Sequence, residues 1–137
     1  MGSQASIDMD LSQSCHPKDI VIELLRSGWD VDFEGVVMFL LPSDAGAYEW
    51  QKEHFKSFSL ESFLSSHSKF GGIGIVMVFD GRFGGEFLIR KDWISLSLSV
   101  NRICLFDGVP DFTEYVTRLR RVIDKFGVAG IRCEYFG

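Results

Sequence analysis

Ile94-Ser95-Leu96-Ser97-Leu98-Ser99-Val100 alternates apolar and hydroxyl residues without a break. Successive side chains of a β-strand point to opposite faces, so Ile94, Leu96, Leu98 and Val100 share one side and the three serines the other. The apolar side must face a core; the serine side is wet or lies on a neighbour. Just upstream, Ile73 to Phe79 and Phe83 to Ile89 flank the turn signal Asp80-Gly81, which predicts a hairpin, with Gly84 and Gly85 as turn or bulge glycines. Downstream, Ile103 to Phe106 continues as a further strand, or as the same one bent, before the loop Asp107-Gly108-Val109-Pro110.

After this block of strands the period changes. Phe112, Tyr115, Val116, Leu119, Val122, Ile123 and Phe126 fall on one continuous helical stripe. Asp111 is the expected N-cap and Gly127 the stop, with Arg118, Arg120, Arg121 and Lys125 near the end, where cations suit the helix dipole. Val128 to Phe136 reads as a closing strand. Before the block, Val36 to Leu41 is an apolar run ended by Pro42, and Trp29-Asp30-Val31-Asp32-Phe33-Glu34 alternates as a strand with an acidic face. Helices are expected at Pro17 to Ser27, closed by Gly28, at Ala47 to His54, and at Ser59 to Ser66 with Ser59 as N-cap. Ser43 to Gly46 and His67 to Gly72 read as loops. Residues 1–15 are polar and unpatterned, so a disordered leader is expected there, followed by one domain over residues 16–137. The fold class is α+β: a mostly antiparallel sheet of six or seven strands, with an N-terminal helix and a long helix near the C-terminus packed on it.

Composition narrows the function classes. The chain has 137 residues, 46% hydrophobic and 24% charged, an ordinary globular mixture that rules out a wholly disordered chain. The longest apolar run, Val36 to Leu41, is far short of the roughly 18 residues a membrane span needs, and no membrane association is expected. The first residues carry neither a basic nor an apolar signal region, and Cys15, Cys104 and Cys133 form no disulfide framework, so a cytoplasmic location is expected. Cys104 and Cys133 read as small buried hydrophobes within strands and Cys15 as exposed.

The net charge of −5 is unevenly placed. Residues 1–69 hold 11 acids and 5 bases; residues 70–137 hold 8 acids and 9 bases. The acidic half would repel a phosphate backbone, so direct nucleic-acid binding is not expected, whereas a basic protein would be steered toward it. No cofactor or metal site is legible. His16, His54 and His67 are isolated from one another, and no Cys-x-x-Cys occurs. No serine sits in a Gly-x-Ser-x-Gly elbow, and the glycines precede strands or fill turns rather than opening a helix. No catalytic residue is assigned and no enzymatic activity is expected. The distinctive feature is carboxylate-rich: Asp30, Asp32 and Glu34 on one strand face, then Asp44, Glu49 and Glu53 with Tyr48 and Trp50 among them. These eight residues are the candidate partner-binding set. A solvated polar face, or a pair of catalytic carboxylates, would use the same residue types.

With its small size, acidity, single α+β domain, acidic Trp29–Glu34 and Asp44–Glu53 segments and lack of a catalytic motif, the chain resembles bacterial toxin-immunity proteins of the contact-dependent and polymorphic-toxin type. The resemblance implies a stoichiometric inhibitor of one cognate toxin domain, often a basic nuclease, whose active site it occludes. Carboxylates would meet toxin lysines and arginines, and Tyr48 or Trp50 would supply an aromatic anchor. Two other classes stay open: a small ligand-binding domain or enzyme with an acidic and aromatic cleft, and a structural adaptor that forms homodimers or larger assemblies through an exposed sheet edge.

Overall fold

The structure, a computed structural model, describes residues 3–44, 46–67 and 72–137. Ala45, in the expected Ser43 to Gly46 loop, and Ser68 to Gly71, in the expected loop after His67, lie outside the described residues.

The fold is α+β, with one large antiparallel sheet. In chain order the elements are β1 (Gln4–Leu11), α1 (Pro17–Arg26), β2 (Trp29–Asp30), β3 (Val36–Phe39), β4 (Gln51–His54), α2 (Leu60–His67), β5 (Ile73–Phe79), β6 (Phe83–Arg90) and β7 (Trp93–Val100). Then follow β8 (Cys104–Phe106), β9 (Val109–Pro110), α3 (Phe112–Arg118), α4 (Arg120–Phe126) and β10 (Val128–Phe136). The main sheet runs β10-β1-β7-β6-β5-β3-β4, with β2 pairing β5 on the same side as β3; β8 and β9 form a separate small hairpin.

All four helices contribute to one core on one face of this sheet. Ile20, Val21 and Leu24 of α1, Phe63 and Leu64 of α2, Tyr115 of α3, Leu119 between α3 and α4, and Val122 of α4 pack with Ile7, Ile75, Phe87 and Leu96. The alternation at 94–100 is realised as read: Ile94, Leu96 and Leu98 are buried, while Ser95, Ser97 and Ser99 face the uncovered side. Strand β5 is buried on both faces, as its uninterrupted apolar run suits a central strand. The β5–β6 hairpin turns on Asp80 and Gly81, both at positive φ, as a primed turn requires.

Several expectations are corrected. The leader contains β1, which lies between β7 and β10 with Ala5, Ile7, Met9 and Leu11 buried. Its period-two pattern is genuine, but alanine, methionine, aspartate and serine are not strand formers, so pairing on both edges makes the strand. Residues 47–54 form no helix: Gln51–His54 is β4, extended because it pairs with Val36–Phe39. The long C-terminal helix is two short ones, broken at Leu119, whose position on the buried stripe is unaffected. Asp111 makes no side-chain cap bond. Cys104 and Cys133 are exposed, because both lie on edge strands, and Cys15 is half-buried.

One buried acid ties α1 to α4. The Glu23 side chain is 5% exposed and lies 3.0 Å from Lys125 Nζ, 3.5 Å from Arg121 Nε and 4.0 Å from Arg26 Nη1. The Lys125 hydrogen bond, followed by the charges of Lys125, Arg121 and Arg26, holds the Glu23 carboxyl below its ordinary value of 4.5 against the opposing effect of burial. A carboxyl with a depressed folded pKa stabilises the fold above its unfolded pKa, and that contribution fades as pH falls toward the folded value. The stability gap between the native chain and Glu23→Gln should therefore be widest above about pH 5 and close progressively below it. Urea titrations at stepped pH measure it; a gap that persists undiminished into strong acid would exclude this role.

A candidate partner-binding edge

The eight candidate residues all belong to the end of the sheet formed by β2, β3, β4 and their loops. They do not form the acidic strand row expected at 29–34, because β2 stops at Asp30. Beyond it the chain makes a tight hairpin. Phe33 and Val36 exchange both backbone hydrogen bonds at 3.0 Å across Glu34 (φ 53°) and Gly35 (φ 82°). Two consecutive positive φ values define a primed turn, and Gly35 is its natural second residue. Asp30 and Asp32 build the approach: Asp30 Oδ1 accepts the Asp32 N–H at 3.1 Å and Asp32 Oδ1 accepts the Gly35 N–H at 2.8 Å. The Glu34 side chain is left at the exposed tip.

The Gly35 carbonyl accepts the Phe55 N–H at 2.9 Å, and His54 opposes Val36, so this turn sits beside the end of β4. Glu53 opposes Val37 in the middle of the β3–β4 pair. At the far end of that hairpin Asp44 organises the loop, its two oxygens accepting the N–H groups of Tyr48 at 2.9 Å and Glu49 at 2.8 Å. The Glu49 amide, with those of Tyr48, Ala47 and Gly46, holds the Asp44 carboxyl below its usual range, against a partial desolvation effect. Tyr48 is fixed at φ 54° and is 49% exposed; Trp50 is half-buried. Four residues of β3 separate the two acidic clusters, a span of roughly 13 Å.

The electrostatics of this end differ from those of the helical side. Among the described residues there are seven ion pairs, and none uses Asp30, Asp32, Glu34, Asp44, Glu49 or Glu53. Five of the six helix Lys and Arg residues, by contrast, are spent internally, Lys18 being the exception: Arg118 on Asp80 and Glu114, Arg120 on Asp124, and Arg26, Arg121 and Lys125 on Glu23. Exposed charges are screened beyond a Debye length of roughly 8 Å at physiological salt, so these six carboxylates give this end a local negative potential, offset in part by Lys52 of β4.

A cleft beside the loop brings Asp44 and Tyr48 near His67 and Arg90. His67 is buried, but Nδ1 lies 2.8 Å from the Phe63 carbonyl oxygen and Nε2 3.2 Å from that of Leu40. Both ring nitrogens thus face backbone carbonyl oxygens, to one of which a neutral ring, with its single N–H, can donate. Among the described residues no group of three His, Cys, Asp or Glu side chains is placed to hold a metal ion. No helix among them is long and apolar enough to cross a membrane.

Sequence reasoning located the acids and the Ser43 to Gly46 loop but missed the hydrogen bonds that organise them. Glu34-Gly35 between two apolar residues was the available signal for the first turn, and Asp44 ahead of Gly46 for the second. Compared with protein-family models, curated proteins and solved structures, the chain finds no match.

Proposed function

We propose that the chain is a stoichiometric inhibitor of the toxin-immunity type, whose β2–β3–β4 end grips a basic toxin domain, a nuclease being the class whose phosphate-binding site such a surface would match. The observation that carries this reading is the set of six carboxylates, gathered at one end of the sheet and engaged in no ion pair among the described residues. Three of them are oriented by backbone N–H groups, and the exposed Tyr48 is anchored beside Asp44. A surface already ordered loses little conformational freedom on docking, and an aromatic beside charges is the usual composition of an energetic centre.

The test is to co-express this chain with any toxin domain that a neighbouring reading frame proves to encode, scored by growth, and to titrate the two purified proteins. The native chain should protect cells and form a 1:1 complex that weakens as salt rises. Glu34, Glu49 and Glu53 use no side-chain oxygen in the turns, so E34K/E49K/E53K should melt like the native chain. It should bind at least about 100-fold more weakly and protect poorly, since reversed charges now repel the partner. Native protein that neither binds nor protects would end the reading, as would a charge-reversed variant that binds equally well.

A further inference from the structure

The two edges of the main sheet are finished differently. Strand β4 is four residues long and carries Lys52 and Glu53, the short charged edge that discourages pairing. Strand β10 is nine residues long, contains no proline, and among the described residues pairs only with β1, so one side of its backbone has no strand partner among them. Large apolar groups gather there. Ile131 is 40% and Phe136 63% exposed, and Leu105 and Phe106 are exposed on the neighbouring β8–β9 hairpin. Alongside runs a groove lined by Phe112, Val116, Ile123 and Cys133.

We propose that this edge pairs with the same edge of a second copy of the chain, antiparallel about a two-fold axis at Cys133, to make one continuous sheet. The self-complementarity of the strand selects both the occupant and the register. Opposing residues of an antiparallel pair share a face, and the β1 register assigns the faces of β10: Ile131, Cys133 and Tyr135 oppose Met9, Ile7 and Ala5 on the core side, while Gly130, Arg132, Glu134 and Phe136 are on the open side. With the axis at Cys133, Arg132 of each copy faces Glu134 of the other, giving two ion pairs. Ile131 faces Tyr135, and Phe136 faces Gly130, which has no side chain to obstruct it. The two grooves then meet across the axis, above the joined strands. A shift of one residue would put side chains on the wrong faces. Moving the axis to Arg132 or to Glu134 would set like charges opposite each other. The acidic end lies at the opposite edge of the sheet, so this inference stands or falls independently of the proposed inhibitor role.

Light scattering after gel filtration, over a range of protein concentrations, tests it. The native chain should show a monomer–dimer equilibrium. R132E and E134R should each weaken the dimer at least about tenfold, because two symmetry-related pairs change sign together. An equimolar mixture of the two, and the double variant R132E/E134R, should recover it. R132E also removes the Arg132–Asp10 ion pair, whereas E134R breaks none, so E134R with a thermal melt carries the argument if R132E folds poorly. In a C104S background, diamide should take one hydrogen from each of two Cys133 thiols and leave an intermolecular disulfide that C104S/C133S cannot form. A native chain that stays monomeric, a dimer indifferent to E134R, or a dimer without Cys133 cross-linking would each overturn the proposal.

Discussion

Replacing Gly85 with alanine should remove at least about 3 kcal/mol of stability, the upper end of overpacking costs. That is a large share of the roughly 5–15 kcal/mol that holds a domain together. At this position β6 carries a bulge, and its register against β7 shifts between Gly84 and Glu86. A Cβ on Gly85 would overlap the Ser97 carbonyl oxygen and stand 2.8 Å from its carbonyl carbon and 2.9 Å from the Ser99 nitrogen. All three are backbone atoms of a central strand, so no side chain can turn away to make room. Gly84 meets the same obstacle on the other side, where a Cβ would overlap the Met77 carbonyl oxygen. Gly72→Ala is the control, because its Cβ would find Arg90 Nη1 at 3.6 Å and the Ile89 oxygen at 3.7 Å, ordinary contacts. Urea midpoints should separate the two variants clearly; equal small shifts would mean that β6 and β7 are not so closely apposed.

Trp29→Ala should cost about 4 kcal/mol. Trp29 is 2% exposed and sits edge-on to Phe79 at 4.8 Å and Phe87 at 5.1 Å. Its indole N–H donates to the Arg118 carbonyl at 3.0 Å. That bond is a consequence of the break between α3 and α4. The Val122 N–H goes to Leu119 rather than to Arg118, which leaves the Arg118 carbonyl for the indole. Alanine would therefore open a cavity and strand a carbonyl together, while Trp29→Phe keeps most of the packing and loses only the donor. Phenylalanine should fall between native and alanine, below the native chain by about 1 kcal/mol for the lost hydrogen bond plus a further increment for lost ring area. Denaturation of the three proteins checks the order; a phenylalanine variant as unstable as alanine would assign the whole effect to the N–H.

The core was legible where residue type and period agreed. Tyr115, Leu119 and Val122 fell on one stripe and are buried, and the β5–β6 hairpin announced itself through Asp80-Gly81. The same stripe hid the helix break, since Leu119 keeps its phase through the kink. Where period and propensity disagreed the sequence misled. Gln51-Lys52-Glu53-His54 contains no strand former and is extended only because β3 pairs with it. Periodicity also cannot tell an edge strand from a central one, which is why Cys104 and Cys133 were expected inside. The acidic residues could be found by counting. Their organisation could not, because it depends on which N–H groups Asp30, Asp32 and Asp44 accept, and those follow from turn conformations at Glu34 and Tyr48 that residue type alone disfavours.

Strand β1 is held between β7 and β10, two segments that emerge from the ribosome long after it. Residues 4–11 have no partner until residues 93–97 are made, and the sheet is completed only when residues 128–136 are free to join it. Folding that ends with such a distant closure is slow. Until then residues 4–11 form an unpaired strand, a natural point of capture for a holding chaperone.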